Sequence, residues 1–160
     1  MQPLWAPWRM AYIGGPPTPG CIFCNAMQTA DWRGHLVLAR EPALVMLNKF
    51  PYSNGHLLVA PQSHAAELGA LSGDEFQKLM SALQRTATVL AGAVHAEGMN
   101  IGMNIGAAAG AGVADHLHWH IVPRWHGDTN FMTTLAEVRV IPEHLETMYD
   151  RLKPLFDAVS

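Results

Sequence analysis

His116-Leu-His118-Trp-His120-Ile-Val-Pro123-Arg124 alternates three imidazoles with apolar side chains. Alternation of this kind predicts a β-strand. Side chains at i, i+2 and i+4 leave a strand on one face, roughly 6.5 to 7 Å apart, so His116, His118 and His120 share a face while Leu117, Trp119 and Ile121 turn to the core. Three imidazoles on one face are costly to bury unless water, phosphate or metal fills the space before them. The strand is therefore expected to front a polar site. Imidazole serves as nucleophile, general acid or base, or metal ligand. The competing readings are a solvated strand that carries histidines and a purely structural metal clip.

Upstream, residues 35–40 and 43–48 read as two strands joined at Glu41-Pro42, and His56-Leu-Leu-Val-Ala60 as a third, after the loop Pro51-Tyr-Ser-Asn-Gly55. Links this short cannot cross over, so the sheet is antiparallel here. Asn48 ends a strand beside the loop, where its carboxamide can serve a pair of vicinal hydroxyls or simply cap the loop. Ser63 is placed to cap a short helix near His64. Ser72-Gly-Asp-Glu75 is a capping box that opens a long helix, with Phe76, Leu79, Met80, Leu83, Ala87, Leu90 and Val94 as its core stripe and Gly98 just beyond its end. That helix should cover one sheet face and leave the other for a ligand or a partner subunit.

Residues 98–106, ending in Asn104-Ile-Gly106, read as a fourth strand, followed by Ala107-Ala-Ala-Gly-Ala-Gly112. Backbone N–H groups in such a loop can approach an anionic oxygen closely, or the loop is a plain connector. Pro142 is placed to start a final helix with Leu145, Met148 and Leu152 on one face, which Pro154 should disrupt. The pair Cys21 and Cys24 follows a proline-rich coil, a setting that favours metal binding from a tight turn over redox chemistry, with two buried free thiols as the alternative.

The chain has 160 residues, 49% of them hydrophobic, and a net charge of −3 with histidines neutral. That length supports one domain, divided as an aromatic, proline-rich arm (1–20), a central unit (21–131) and an extension with a helix (132–160). The arm, with Trp5, Trp8 and Tyr12, is expected to pack on the core of its own domain rather than on substrate. The charge balance argues against polymeric nucleic acid, and no apolar run reaches the length of a membrane span, so a soluble cytoplasmic protein is expected. Two cysteines three apart suit a metal or redox pair better than a secreted disulfide framework.

The pattern His-φ-His-φ-His-φ-φ, with φ apolar, resembles the histidine triad (HIT) family of nucleotide hydrolases and transferases, and the segments at 48–56, 104–106 and 123–128 strengthen the resemblance over residues 20–131. Trp5-Ala-Pro7-Trp8-Arg9 resembles the diadenosine tetraphosphate phosphorylase-like branch. The resemblance implies an α+β, HIT-like fold: an antiparallel meander sheet of about five strands with a long helix on one face. It also implies a structural Zn²⁺ on Cys21, Cys24, His64 and His116, a ribose contact at Asn48, and a homodimer. The family's usual Gln four residues before the first triad histidine is Gly112 here, which removes an amide that contacts phosphate.

The expected activity is cleavage of a dinucleoside polyphosphate at an α-phosphate, by phosphorolysis. His118 would form a covalent nucleotidyl-histidine, with a backbone carbonyl fixing its tautomer. His120 would hydrogen-bond the phosphate or leaving oxygen, His56 would orient the site, and Asn104, Gly106 and Gly112 would line the phosphate. The alternatives are hydrolysis of the same compounds, hydrolysis of an adenosine 5'-phosphoramidate, and a zinc-stabilised nucleotide-binding module without turnover.

Overall fold

A computed structural model describes residues 19–128 and 143–159. The expectations for residues 1–18, for 129–142 and for Pro142 as a helix start lie outside the described residues. In chain order the elements are a short helix α1 (Ile22–Gln28), strands β1 (Val37–Ala39), β2 (Leu44–Leu47) and β3 (Leu57–Ala60), the long helix α2 (Gly73–Val94), strands β4 (Gly98–Met103) and β5 (Trp119–Arg124), and helix α3 (Leu145–Asp157). The architecture is α+β. One sheet runs in the order β1-β2-β3-β5-β4, with every neighbouring pair antiparallel. Residues 37–60 form the expected meander. The chain then leaves through α2, so β4 returns at the far edge and β5 fills the gap between β3 and β4.

Every residue of β1, β2 and β3 is buried, because both faces of this part of the sheet are covered. Val45, Leu47, Leu57 and Val59 pack with Leu79 and Leu90 of α2 and with Met148, Leu152 and Phe156 of α3. Leu44, Met46, Leu58 and Ala60 face the other way, onto Phe23 and Ala26 of α1. The second face, expected to be left for a ligand or a partner subunit, is thus partly covered by α1. A helix of only seven residues, with no side-chain cap at its start, leaves too little periodic signal to be read from sequence.

Helix α2 opens as expected. The Ser72 Oγ accepts the Glu75 N–H while the Glu75 carboxylate accepts the Ser72 N–H. Its fully buried residues are Leu79, Ala82, Thr86 and Leu90, with the expected Met80, Leu83, Ala87 and Val94 partly buried against the same core, while Phe76 is 40% exposed. Periodicity weights the largest apolar side chains, whereas close approach to a neighbouring element selects small ones such as Ala82 and Thr86. The helix closes on His95 in the left-handed conformation, φ 49°, and Gly98 opens β4 rather than capping α2.

Two further expectations change. No helix starts at His64. The single 3-10 turn nearby begins at Leu68, after Glu67, with no side-chain cap, since the Ala65 carbonyl is spent on the Leu117 N–H at 2.7 Å. Pro154 does not end α3, which runs on to Asp157. A proline so near the end removes one backbone bond, and burial of Tyr149, Leu152 and Phe156 holds the last turn in place. The stripe gives a direct test. Leu79→Ala is expected to cost about 2–5 kcal/mol in urea unfolding, and Phe76→Ala under about 1 kcal/mol. Equal costs would contradict this orientation of α2.

Candidate functional site

His120 lies on β5, opposite Leu58 of β3 and Gly102 of β4. His116 and His118 sit just before the strand, which begins only at Trp119. The expected strand is shorter because β4 has ended at Met103 and Leu117 bonds to Ala65 instead of to a sheet neighbour. The extended segment nevertheless keeps all three imidazoles on the α1 side. Phe23 lies 5.1 Å from the His116 ring and 4.9 Å from the His118 ring, and the His118 and His120 rings are 5.0 Å apart. Leu117 and Ile121 are buried on the core side, and Trp119 packs half-buried against it. A Cβ on Gly102 would meet nothing within 4 Å, so space beside His120 stays open.

His56, His116 and His118 are all buried, and their partners fix which nitrogen carries the proton. The His56 Nδ1 accepts the Tyr52 N–H at 3.1 Å, with the Asn48 Nδ2 at 3.2 Å. Its proton is then on Nε2, which donates to the His120 Nδ1 at 2.9 Å. In neutral His120 the remaining N–H is therefore Nε2. Burial, and then the neighbouring His118, push the His120 pKa below its ordinary value and favour that neutral form. The His118 Nδ1 donates to the His116 carbonyl at 2.9 Å. The His118 Nε2 lone pair is left bare. A backbone carbonyl in this role is the expected arrangement.

His116 is pinned differently. Its Nε2 donates to the Pro61 carbonyl at 3.0 Å, which turns Nδ1 toward the cysteines, 3.3 Å from the Cys21 Sγ and 3.7 Å from the Cys24 Sγ. The His64 Nδ1 lies 3.3 Å from the Cys24 Sγ. All four ligand atoms fall within 4.8 Å of one another. A tetrahedral metal bound at the usual sulfur and nitrogen distances separates its ligands by about 3.5–3.8 Å, so these residues fit a metal ion. The pair sits on the first turn of α1, Cys21 at its N-cap, rather than on the tight turn expected. Burial, followed by the nearby Cys21 thiol, raises the Cys24 pKa, and a cation among the four groups reverses that tendency. Burial lowers the pKa of His116, as do His64 and His118, against the Pro61 hydrogen bond.

Among the other expected residues, Asn48 takes the loop-capping position: its Oδ1 accepts the Phe50 N–H at 2.9 Å. Continuing the β4–β5 register brings Asn104 level with His118, just past the end of the ladder. Gly106, φ +79°, precedes a second 3-10 turn, Ala107–Ala109, and Gly112 is exposed beyond it. Gly55 is a required glycine, since it turns the chain into His56 at φ +74° with Leu90 and Pro123 at van der Waals distance from any added Cβ. Sequence reasoning missed Tyr52, Phe23 and Pro61. Pro61 acts only through its carbonyl and has no side-chain signature, while Phe23 carried a signal in its place between the two cysteines.

The profile of the HIT domain family matches residues 30–127. A protein of Mycobacterium tuberculosis described as an AP-4-A phosphorylase is 36% identical over 154 residues, covering 91% of this chain and 79% of that protein. An adenosine 5'-monophosphoramidase of Schizosaccharomyces pombe is 26% identical over 132 residues, covering 82% of this chain and 95% of that protein. Among solved structures, a zinc-bound histidine triad family protein from Mycobacterium smegmatis matches with a TM-score of 0.68 at 28% identity, over 88% of this chain and 95% of that one. The metal cluster carries a prediction of its own. Chelation, or Cys21→Ser with Cys24→Ser, should lower the melting temperature by about 10 °C or more, because metal binding energy is folding energy. Metal analysis well under one ion per chain, with melting unchanged by chelator, would return the cysteines to ordinary packing.

Proposed function

The chain belongs to the HIT domain family, and on that premise we propose that it is a nucleotidyl transferase that cleaves dinucleoside polyphosphates at an α-phosphate, with inorganic phosphate as acceptor. The observation that carries this reading is the bare Nε2 of His118, produced by the Nδ1–H bond to the His116 carbonyl, beside a second imidazole whose free N–H is Nε2. A nitrogen lone pair and an N–H donor side by side suit displacement at a phosphorus bearing a good leaving group.

In the first step the His118 Nε2 lone pair forms a bond to the α-phosphorus, and the bond from that phosphorus to its bridging oxygen breaks. From diadenosine tetraphosphate, ATP departs as an anion, so no proton need be supplied to it. The His120 Nε2–H hydrogen-bonds the bridging oxygen as charge builds there, while the His116 carbonyl stabilises the imidazolium forming on His118. In the second step a phosphate oxygen attacks the same phosphorus, the P–N bond breaks, ADP forms and His118 regains its lone pair. Water in place of phosphate gives AMP and a released proton. Asn104 and the backbone N–H groups around Gly106 and Gly112 line the transferred phosphoryl group. Asn48 keeps one Oδ1 lone pair and part of its amide for the ribose hydroxyls.

Zinc is the metal we assign to Cys21, Cys24, His64 and His116, on the preference of thiolate and imidazole for that ion. When bound, it supplies a structural cross-link. The relative from Schizosaccharomyces pombe supports cleavage of a phosphoramidate as the alternative reaction. No described helix is long and apolar enough to cross a membrane, and the cytoplasm is the compartment we assign.

Product analysis tests the reaction. Diadenosine tetraphosphate with phosphate is expected to give ADP and ATP, and His118→Ala under about 1% of that rate with folding and nucleotide binding retained. AMP and ATP regardless of phosphate would make the protein a hydrolase, and no products at all a binding module. A homodimer completes the reading, motivated by the outer edge of β4 and the exposed apolar Ile101 and Ile105, at 44% and 43%. Light scattering at micromolar concentration should give twice the 17.5 kDa chain mass; a monomer mass would contradict it.

A further inference from the structure

The imidazoles of the site belong to a continuous file of rings. From His64 the file passes to His116 at 5.1 Å, Phe23 at 5.1 Å, His118 at 4.9 Å, His120 at 5.0 Å and Tyr52 at 5.7 Å. Its inner end is held by backbone carbonyls and by the cysteine cluster. His120, by contrast, is held on its Nδ1 by a single bond from His56. Rotation of the ring about its Cα–Cβ and Cβ–Cγ bonds breaks that one N–H···N bond and frees the tautomer it sets. Tyr52 stands against such rotation, with a ring that lies parallel to within 23° of His120 and also packs on His56 at 4.7 Å.

Tyr52 reaches both members of the pair by separate routes. Its backbone N–H is the donor that forces the His56 proton onto Nε2, and its side chain stacks on the imidazole that receives that proton. The side chain is nonetheless 47% exposed. An exposed tyrosine on a loop contributes little to core stability, so its place over His120 asks for another explanation. We infer that Tyr52 is a positioning residue, whose ring face holds the His120 imidazole so that its Nε2–H is aimed at the leaving oxygen. The inference rests on the nucleotidyl-transfer reading for its effect on rate, and on ring geometry alone for its effect on His120. The ring face, rather than the hydroxyl, is the part assigned to this task.

The test pairs turnover with histidine ¹⁵N NMR of the resting protein. Tyr52→Ala keeps the backbone N–H and so keeps His56 in its tautomer, while His120 is expected to show exchange between its Nδ1–H and Nε2–H forms. Its kcat should fall about tenfold to a hundredfold, the scale expected for a misplaced reacting group, with KM within about twofold of wild type. Tyr52→Phe keeps the ring and should restore both the single Nε2–H signature and wild-type kcat. A wild-type kcat or an unshifted His120 spectrum in Tyr52→Ala overturns the inference. So does a Tyr52→Phe variant as impaired as Tyr52→Ala, since the hydroxyl would then be the acting group. The NMR is recorded without substrate, so a failure of the nucleotidyl-transfer reading leaves the His120 result readable on its own.

Discussion

The hydrogen bond from the His118 Nδ1 to the His116 carbonyl, 2.9 Å long, is the constraint on which the rest of the site depends. A carbonyl only accepts, so the proton stays on Nδ1 and the lone pair stays on Nε2. The same residue that provides this carbonyl is held by its own side chain, through the Pro61 carbonyl on one nitrogen and the Cys21 and Cys24 sulfurs on the other. The backbone beside it is tied to Ala65 through Leu117. The cluster at the head of α1 thus orients His118, the nucleophile of the proposed mechanism, indirectly, by holding still the peptide unit that its Nδ1 meets.

Burying three imidazoles, with His120 half-buried beside them, is a cost that the fold meets by pairing. Each ring nitrogen of His56, His116 and His120 that faces the interior has a partner, so the desolvation that lowers the pKa of His116 and His120 selects their neutral forms instead of leaving a buried charge. Neutral imidazoles in fixed tautomers are what nucleophilic attack and hydrogen-bond donation require. On the proposed mechanism the demands of folding and of chemistry coincide at His120, beside which the space at Gly102 stays open.

Much of this was legible in the sequence. The alternation at 116–124 placed the three imidazoles on one face, the capping box at Ser72 located the start of α2 to the residue, and the short links before residue 60 required an antiparallel meander. The metal-ligand set came from resemblance. What stayed hidden has a common physical character. Helix α1 is too short to show a period. The insertion of β5 between β3 and β4 is a tertiary pairing with no local signature. The full burial of Ala82 and Thr86 beside the apolar stripe has no periodic signal of its own, and the Pro61 and His116 carbonyls are backbone groups that every residue possesses. Tyr52 could be read only as a loop residue, because the ring it stacks on, His120, lies sixty-eight positions away.

The central claim is that His118, through Nε2, carries the nucleotidyl group between donor and acceptor. Rapid acid-free quenching of the protein with diadenosine tetraphosphate in the absence of phosphate, followed by peptide mapping, tests it most directly. The account predicts a transient adenylyl adduct on His118, bonded at Nε2, that phosphate discharges as ADP. An adduct on His120 or elsewhere, or turnover with no adduct and no burst of ATP, would contradict it.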